Sequence, residues 1–491
     1  MVVASLLNNT NHMYSNGAWV EASGSSASQI YNPTSGNIIL TLTDGSPKDM
    51  DATVQAAHDA FFKGPWYNEW SGMQRRDALL KIAQAMDDNS SKLAAIESLQ
   101  TGKPIANSTG EVAHGSEVFR YFAGLADKQY GRHHGPSHDQ RFTTYTLTEP
   151  IGVIGLITAF NFPLMLACWK IAPALVSGNT LVIKPSPNTP LSTLLLAQLI
   201  NDLNILPPGV FNVVSGGTET GATMVAHNLV DKVSFTGSVG AGKAVYQASA
   251  KSSTLKGVCL ELGGKSPHVV MDDADLKAAA HTAAMAAYTN TGQTCCAGTI
   301  LYVHKSVYTQ FLQELKSVTE DITSKITQDT KSSIIGPLIN QTQLDRVHGF
   351  VQRAVDNGEA EVLIGGSRLF DSGFYYKPTV LINPTNKAQV VCEEIFGPVV
   401  TVMPPFDDLE HVLELENNSS FGLAAGIFSN NAKAINRFTT GIRAGTVWVN
   451  CFNILLPYMP FGGYKSSGIG RELGLEAVNE FVQTKSVTAR Y

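Results

Sequence analysis

The sequence predicts an α/β fold built on a parallel sheet, and three features carry that expectation. From residue 151 onward, short runs rich in Val, Ile and Phe alternate with helix-length amphipathic or apolar patterns. The runs end in Gly, Pro, Ser or Asn, the residues of the loops where such sheets hold ligands at their strand C-terminal ends. A second alternation of the same kind begins at "SPHVVM", residues 266–271, and continues to about 465. The 491 residues leave room for about three domains of roughly 150 residues each.

In chain order, residues 17–45 read as short strands and turns. A helix is expected from Pro47, with Val54, Ala57 and Phe61 on one face, and a longer one from the capping-box pattern Ser71-Gly-Met-Gln74. "QRFTTYTLTE", 140–149, alternates like an exposed strand. The stretch 151–169 carries no charge and is long enough for a membrane span, but Gly152, Gly155, Asn161 and Pro163 interrupt it. It reads instead as a buried strand, a loop and a helix beginning near Pro163. "TLVIKPS", "PLSTLLLAQLIND", "GVFNVVSGG", "KVSFTGS" and "KGVCLELGG" continue the alternation. "TILYVHKSVYTQFLQELKSV", "YYKPTVLINP", residues 399–406 and "AGTVWVN" belong to the second one. The closing "FVQTKSVTARY" alternates as a strand that needs a partner edge.

Composition removes several function classes. Apolar residues make up 44% and charged ones 15%, which is ordinary for a globular chain, and a net charge of −6 without basic blocks argues against nucleic acid as a partner. The cysteines (Cys168, Cys259, Cys295, Cys296, Cys392, Cys451) lack metal-type spacing and suit a reducing, cytoplasmic setting. No basic residue precedes Lys48, which speaks against a secretory or transit leader. "GRHHGPSHD", 131–139, is taken as a polar loop rather than a metal site, so no metal is expected.

"SFTGSVGAGKAV", 234–245, raises the question of phosphate chemistry. Gly237, four residues, then Gly242-Lys243 is P-loop spacing, and "HVVMDD" resembles the strand and aspartate that hold magnesium. The next residue is Ala244, which has no hydroxyl for the metal, so a helix N-terminus receiving phosphate without metal is the better reading. Three other segments carry reactive groups. Cys295 in "NTGQTCCAGT" is a candidate nucleophile, Glu261 in "LELGGKSP" a candidate general base, and Asn161 in "AFNFP" a candidate oxyanion donor. Singly, each also reads as a buried thiol, a paired carboxylate or a turn residue.

"FTGS" with Gly242, "LELGGKSP", "GQTCCAG", "EEIFGPV" at 393–399 and "PFGGYKSSGIGREL" at 460–473, in that order, strongly resemble the NAD(P)-dependent aldehyde dehydrogenase superfamily. The resemblance implies an aldehyde dehydrogenase-like α/β fold. Residues 1–125 and 151–262 would form a Rossmann-like cofactor domain, 263–466 a catalytic domain, and 126–150 with 467–491 a β ribbon for homo-oligomerisation. It implies a non-acylating enzyme in which Cys295 attacks the aldehyde, Asn161 and the Cys295 N–H hold the oxyanion, and Glu261 activates water against the thioester. It places the pyrophosphate at Gly237, Ser238 and Gly242, adenosine at Lys184, Ser186 and Pro187, and the nicotinamide end near Phe160, Gly263, Glu394 and Phe396. Lys170 falls where the family often has a lysine near a proton exit.

Departures from the family pattern shape the finer expectations. Pro187 stands where strictly NAD-dependent members often have a carboxylate for the ribose 2′-hydroxyl, so NAD is expected with NADP possible. Ala159-Phe160 replaces a Pro-Trp pair, and a family glutamate aligns with Gln483. The implied substrate channel is lined by Phe162, Leu166, Trp169, Thr289, Phe452, Leu455 and Phe461, apolar and without arginine. Neutral aromatic or medium-chain aliphatic aldehydes are therefore expected, with a betaine-type aminoaldehyde in a Trp169–Phe452 cage as the alternative. A P-loop hydrolase and a non-catalytic relative are the rivals from other classes.

Overall fold

The computed structural model describes residues 12–135 and 141–490. Its first sheet has eight strands in the order Gly468–Ile469, Gly257–Glu261, Lys232–Thr236, Val153–Ile157, Thr180–Lys184, Phe211–Val213, His12–Ser15, Ala18–Glu21. The five central strands are parallel. From Val153–Ile157 the chain steps outward through the next two strands, then returns to the opposite side for Lys232–Thr236 and Gly257–Glu261. Strand order therefore reverses between Val153–Ile157 and Lys232–Thr236, and a crevice opens beyond their C-terminal ends.

The uncharged 151–169 stretch folds as expected: a buried strand, a short loop, then the buried helix Pro163–Val176 with Pro163 in its first turn. Among the described residues, no helix is long and apolar enough to cross a membrane. The capping box at Ser71 opens the helix Gly72–Asp88, with Gln74 N–H donating to Ser71 Oγ (3.3 Å) and Ser71 N–H to Gln74 Oε1 (2.8 Å). The helix Pro47–Phe62 buries Val54, Ala57 and Phe61. The helices Gly72–Asp88, Ile105–Ala123 and Pro163–Val176 pack together around the fully buried Phe119, Phe122 and Trp169.

A second sheet of seven strands runs Glu361–Ile364, Thr379–Ile382, Val399–Val402, Ile300–Val303, Pro267–Val270, Ala424–Phe428, Thr446–Val449. All its pairings are parallel except that of Glu361–Ile364 with Thr379–Ile382. "HVVMDD" thus lies in a different sheet from the glycine turn. Its Asp273 accepts from Ser429 Oγ and the Asn430 N–H, each at 2.8 Å. The aspartates of this segment therefore do not stand in the sheet that carries the turn, which removes the second feature on which the P-loop reading rested.

The closing strand Val482–Arg490 pairs antiparallel with Phe142–Pro150 over their full length, so each supplies the partner edge that the other needs. Gly468–Ile469 sits on the first sheet instead, next to Gly257–Glu261. Residues 136–139 of the polar loop lie outside the described residues.

Candidate active site

The crevice at the reversal of strand order is built on a glycine turn. Ser238 caps the helix Val239–Lys251, its Oγ accepting from the Ala241 N–H at 3.3 Å. A Cβ on Gly237 would meet the Phe235 ring at 2.5 Å. Gly242 serves packing: a Cβ there would come within 2.5 Å of Leu262 Cδ2, so its smallness lets the helix lie close to the sheet. Gly242 lines neither of the crevice's two cavities. The first, about 310 Å³, is walled by Ala241, Ala244, Val245 and Ala248 opposite Lys184, Ser186 and Pro187. Lys184 Nζ donates to the Gly216 and Pro185 carbonyls (2.8 and 3.1 Å), and burial pushes the ammonium down to about 8 against the pull of Asp44. Among the described residues, no carboxylate lines this cavity.

The second cavity, about 430 Å³, shares Ser186, Phe235, Thr236 and Ala241 with the first and continues past Gly237, Ser238, Gly263, Glu394 and Phe396 to Cys295. Phe160 meets Phe396 edge-on, with centroids 5.7 Å apart. Glu394 accepts from the Gly264 N–H at 3.2 Å, and burial raises its carboxyl to about 7 despite that bond and the nearby Lys265 and Arg346. The double glycine allows both approaches. A Cβ on Gly263 would lie 2.2 Å from Glu394 Oε2, and one on Gly264 would lie 2.5 Å from the Cys295 carbonyl.

Cys295 is half-buried on a loop preceded by three left-handed residues, Asn290 (φ 53°), Thr291 (φ 58°) and Gly292 (φ 69°). A β-branched residue in that region is strained, and Thr291 is held there by its Oγ1–H bond to the Gly336 carbonyl (2.8 Å). Asn290 Nδ2 donates to the Asn161 carbonyl at 2.8 Å and to the Gln293 carbonyl at 3.1 Å, tying the cysteine loop to Asn161. Asn161 Oδ1 is buried without a hydrogen-bond partner. The Cys295 thiol is held well above the ordinary cysteine range, first by hydrogen bonding with Cys296, then by burial and by the charges of Glu261 and Glu394. Cys296 itself donates to Asn453 Oδ1 at 3.5 Å.

Glu261, at the end of its strand, is buried with neither carboxyl oxygen hydrogen-bonded. Burial and Glu472 hold it well above the usual carboxylate range, while Lys170 and Arg471 pull the other way. Lys170 is no surface lysine: it is 1% exposed, ion-paired with Glu472, and donates to Ser234 Oγ at 3.0 Å. Glu472 is the residue the sequence reading missed. Gln483, with which a family glutamate aligns, lies on the ribbon and donates to the Pro150 carbonyl (3.2 Å). Glu472 belongs to the "GREL" tetrapeptide that closes the last of the family motifs.

A third cavity, about 380 Å³, approaches Cys295 and Asn161 from the other side. Phe162, Leu166, Trp169, Thr289, Leu455 and Phe461 line it. Phe452 does not. Its ring is stacked behind the wall on His268 (5.2 Å, 14°) and tilted against Trp448, because Gly298 and Gly426 leave room for it there. The aromatic partner of Trp169 is therefore Phe461, edge-on at 5.5 Å. The sequence also gave no sign of a polar wall formed by Asn107, Glu111 and His114. Trp169 Nε1 donates to His114 Nε2 at 3.0 Å, and Glu111, raised to about 7 by burial, pairs with Lys103 at 2.7 Å. Cys295 and Asn161 line both this cavity and the second one, and so stand where the two meet. Among the described residues, no cluster of His, Cys, Asp and Glu is arranged to hold a metal.

Comparison with known proteins bears on this arrangement. The model of the aldehyde dehydrogenase family matches residues 19–487. Benzaldehyde dehydrogenase, mitochondrial, of Antirrhinum majus is 40% identical over 478 residues, covering 96% of this chain and 87% of the relative. The NAD+ complex of an aldehyde dehydrogenase from Bacillus cereus is similar with a TM-score of 0.94 and 38% identity, over 99% of this chain and 98% of that one. Betaine aldehyde dehydrogenase from Staphylococcus aureus, solved with NAD+, has a TM-score of 0.94 at 35% identity over 99% and 95% of the two chains.

Proposed function

The chain belongs to the aldehyde dehydrogenase family, and from that premise we propose that it uses NAD to oxidise uncharged aromatic or medium-chain aliphatic aldehydes to carboxylic acids. The observation that carries the reading is the placement of Cys295 and Asn161 at the junction of two cavities. A dinucleotide fits the two connected cavities of the crevice. Lys184 would hold the adenosine ribose, the capped helix N-terminus at Ser238 would meet the pyrophosphate, and Glu394 with Phe396 would flank the nicotinamide end. When bound, the dinucleotide supplies the hydride acceptor.

The protein's own residues do the remaining chemistry. Cys295 Sγ forms the bond to the aldehyde carbon, and the thiol's raised pKa means that its proton must go to a base. Water in the cavities that open on Cys295 would take that proton, and Glu261, buried and unpartnered, is held for the later hydrolytic step. The Asn161 amide and the Cys295 N–H would hold the oxyanion, a donor of this kind being worth about 10²–10³ in rate. After oxidation, Glu261 would accept a proton from the water that cleaves the thioester, with Glu472 and Lys170 as the next groups outward. The lack of an arginine in the channel lining favours neutral substrates. Glu111 facing the same cavity as Trp169 and Phe461 supports cationic aminoaldehydes as a second reading.

The open edge of Val482–Arg490 supports a homodimer or tetramer, and the free cysteines support a reducing compartment such as the cytoplasm. The test is absorbance at the reduced-nicotinamide band with benzaldehyde, hexanal, betaine aldehyde and succinic semialdehyde. Signal with the first two supports the reading. Signal with betaine aldehyde alone moves it to the second, and silence with all four overturns both.

A further inference from the structure

Beside the double glycine of the active site but lined by other residues, a cavity of about 300 Å³ descends from the exposed Cys392 and Asn418 to a floor formed by Lys265, Tyr302 and Met403. Lys265 is only 4% exposed, and its Nζ has no hydrogen-bond partner. Glu416 lines the same cavity and accepts from Tyr302 O–H at 2.8 Å. A buried lysine is ordinarily paired, so an amine left bare at the bottom of an open shaft is a site for something. We propose that Lys265 is a covalent carbonyl-capture site, at which the amine condenses with an aldehyde to form an imine.

The chemistry balances without an oxidant. The Lys265 nitrogen lone pair forms the C–N bond to the carbonyl carbon, and the C=O π electrons move to oxygen, which takes a proton. That oxygen leaves as water while the nitrogen loses its protons and the C=N bond closes. The electrophile is the class of molecule this family handles, and the acid for water departure is Glu416. Burial raises that carboxyl to about 7, opposed by the Tyr302 hydrogen bond and by Lys465 and Lys265, so much of it is protonated near neutrality. Burial lowers Lys265 itself to about 8 against Glu394, Glu416, Cys392 and Glu393, the titratable groups that face it. A desolvated amine of this kind is the usual form of a nucleophilic lysine. At pH 7 about one-tenth of it is free base, against about four parts in ten thousand for an exposed lysine. After allowance for the weaker nucleophilicity of a less basic amine, labelling about tenfold faster is expected.

The test uses the full chain as Cys295→Ser, to prevent consumption of aldehyde, with limiting hexanal and cyanoborohydride, followed by peptide mass mapping. The expected result is a reduced adduct on Lys265 forming about tenfold faster than on the exposed Lys63, Lys305 and Lys325. Its rate should rise with pH and level off above about 8. Glu416→Gln should slow labelling of Lys265 alone. Labelling of Lys265 no faster than of the surface lysines, or none, overturns the proposal. Parallel turnover assays on the unmodified enzyme keep this outcome separate from the dehydrogenase reading, because adduct formation requires no reduced nicotinamide.

Discussion

Lowering the pH from 7.5 to 5 should destabilise this protein through one buried ring. His268 is fully buried on the strand Pro267–Val270, stacked between Phe428 and Phe452 at 5.2 Å from each, with neither ring nitrogen hydrogen-bonded. Burial drives its pKa from 6.5 down to about 3. The folded value lies below the unfolded one, so the contribution to stability is intact above about 6.5 and is lost as the pH falls toward 3. At pH 5 the unfolded chain gains about 1.5 pK units of protonation free energy that the fold cannot match, or about 2 kcal/mol. Spread over the unfolding entropy of a chain this long, that is about 2 °C in Tm. His268→Phe keeps an aromatic ring between the same neighbours and leaves no polar atom unsatisfied. The assay is thermal unfolding of both proteins at pH 7.5 and pH 5. Carboxylates common to both cancel, so the wild type should lose about 2 °C more than the variant. An identical drop in the two proteins would refute the claim that His268 is held neutral and unpartnered.

Other substitutions test the site. Glu261→Gln should leave a single-turnover burst of reduced nicotinamide but slow steady-state turnover by about 10²-fold or more, as seen by stopped flow; loss of burst and turnover together would put Glu261 in thiol activation. Because the buried Glu261 carboxyl is held above its unfolded value, the fold favours its acid form, so Glu261→Gln should also unfold at higher denaturant than wild type at pH 8 and lose that advantage at pH 4. Pro187→Glu adds a carboxylate to a cavity lined by none and should raise the NAD-over-NADP ratio of kcat/KM by about tenfold or more, a difference of about 1.4 kcal/mol. Asn290→Ala removes the bond that ties the cysteine loop to the Asn161 carbonyl. It should lower kcat by about tenfold with KM for NAD unchanged, and an unchanged kcat would show that the tie is only structural.

Much of this arrangement was legible because it depends on local chain chemistry. The alternation of apolar runs and helical patterns, the capping box at Ser71 and Pro163 in the first turn of its helix are written in adjacent residues, and the structure has them where they were expected. The glycine turn was legible as a phosphate-type turn. Ala244 already argued against magnesium there, and "HVVMDD" lies in the other sheet. The sequence placed Cys295 on a loop and Glu261 and Asn161 at strand ends, and the structure brings Cys295 and Asn161 to one junction.

What stayed hidden depends on contacts between distant segments. Phe452 reads as a channel aromatic until the glycines at 298 and 426 are seen to open a slot behind the wall, where His268 receives its ring. Glu111 and His114 sit on a helix with no motif, and only the packing of Ile105–Ala123 against Pro163–Val176 turns them toward the substrate cavity. Glu472 was missed for the opposite reason: its motif was recognised, but a carboxylate gains meaning only from what it faces. Buried against Lys170 and near Glu261, it raises the pKa of the very group assigned to activate water. Gln483, which aligns with a family glutamate, is a neutral amide on the exposed ribbon strand and supplies no such charge. Removing the Glu472 charge with Glu472→Gln should therefore lower the apparent pKa of the rising limb of kcat, since a neighbouring negative charge no longer opposes ionisation of Glu261. A Gln483 substitution should leave that limb where it is.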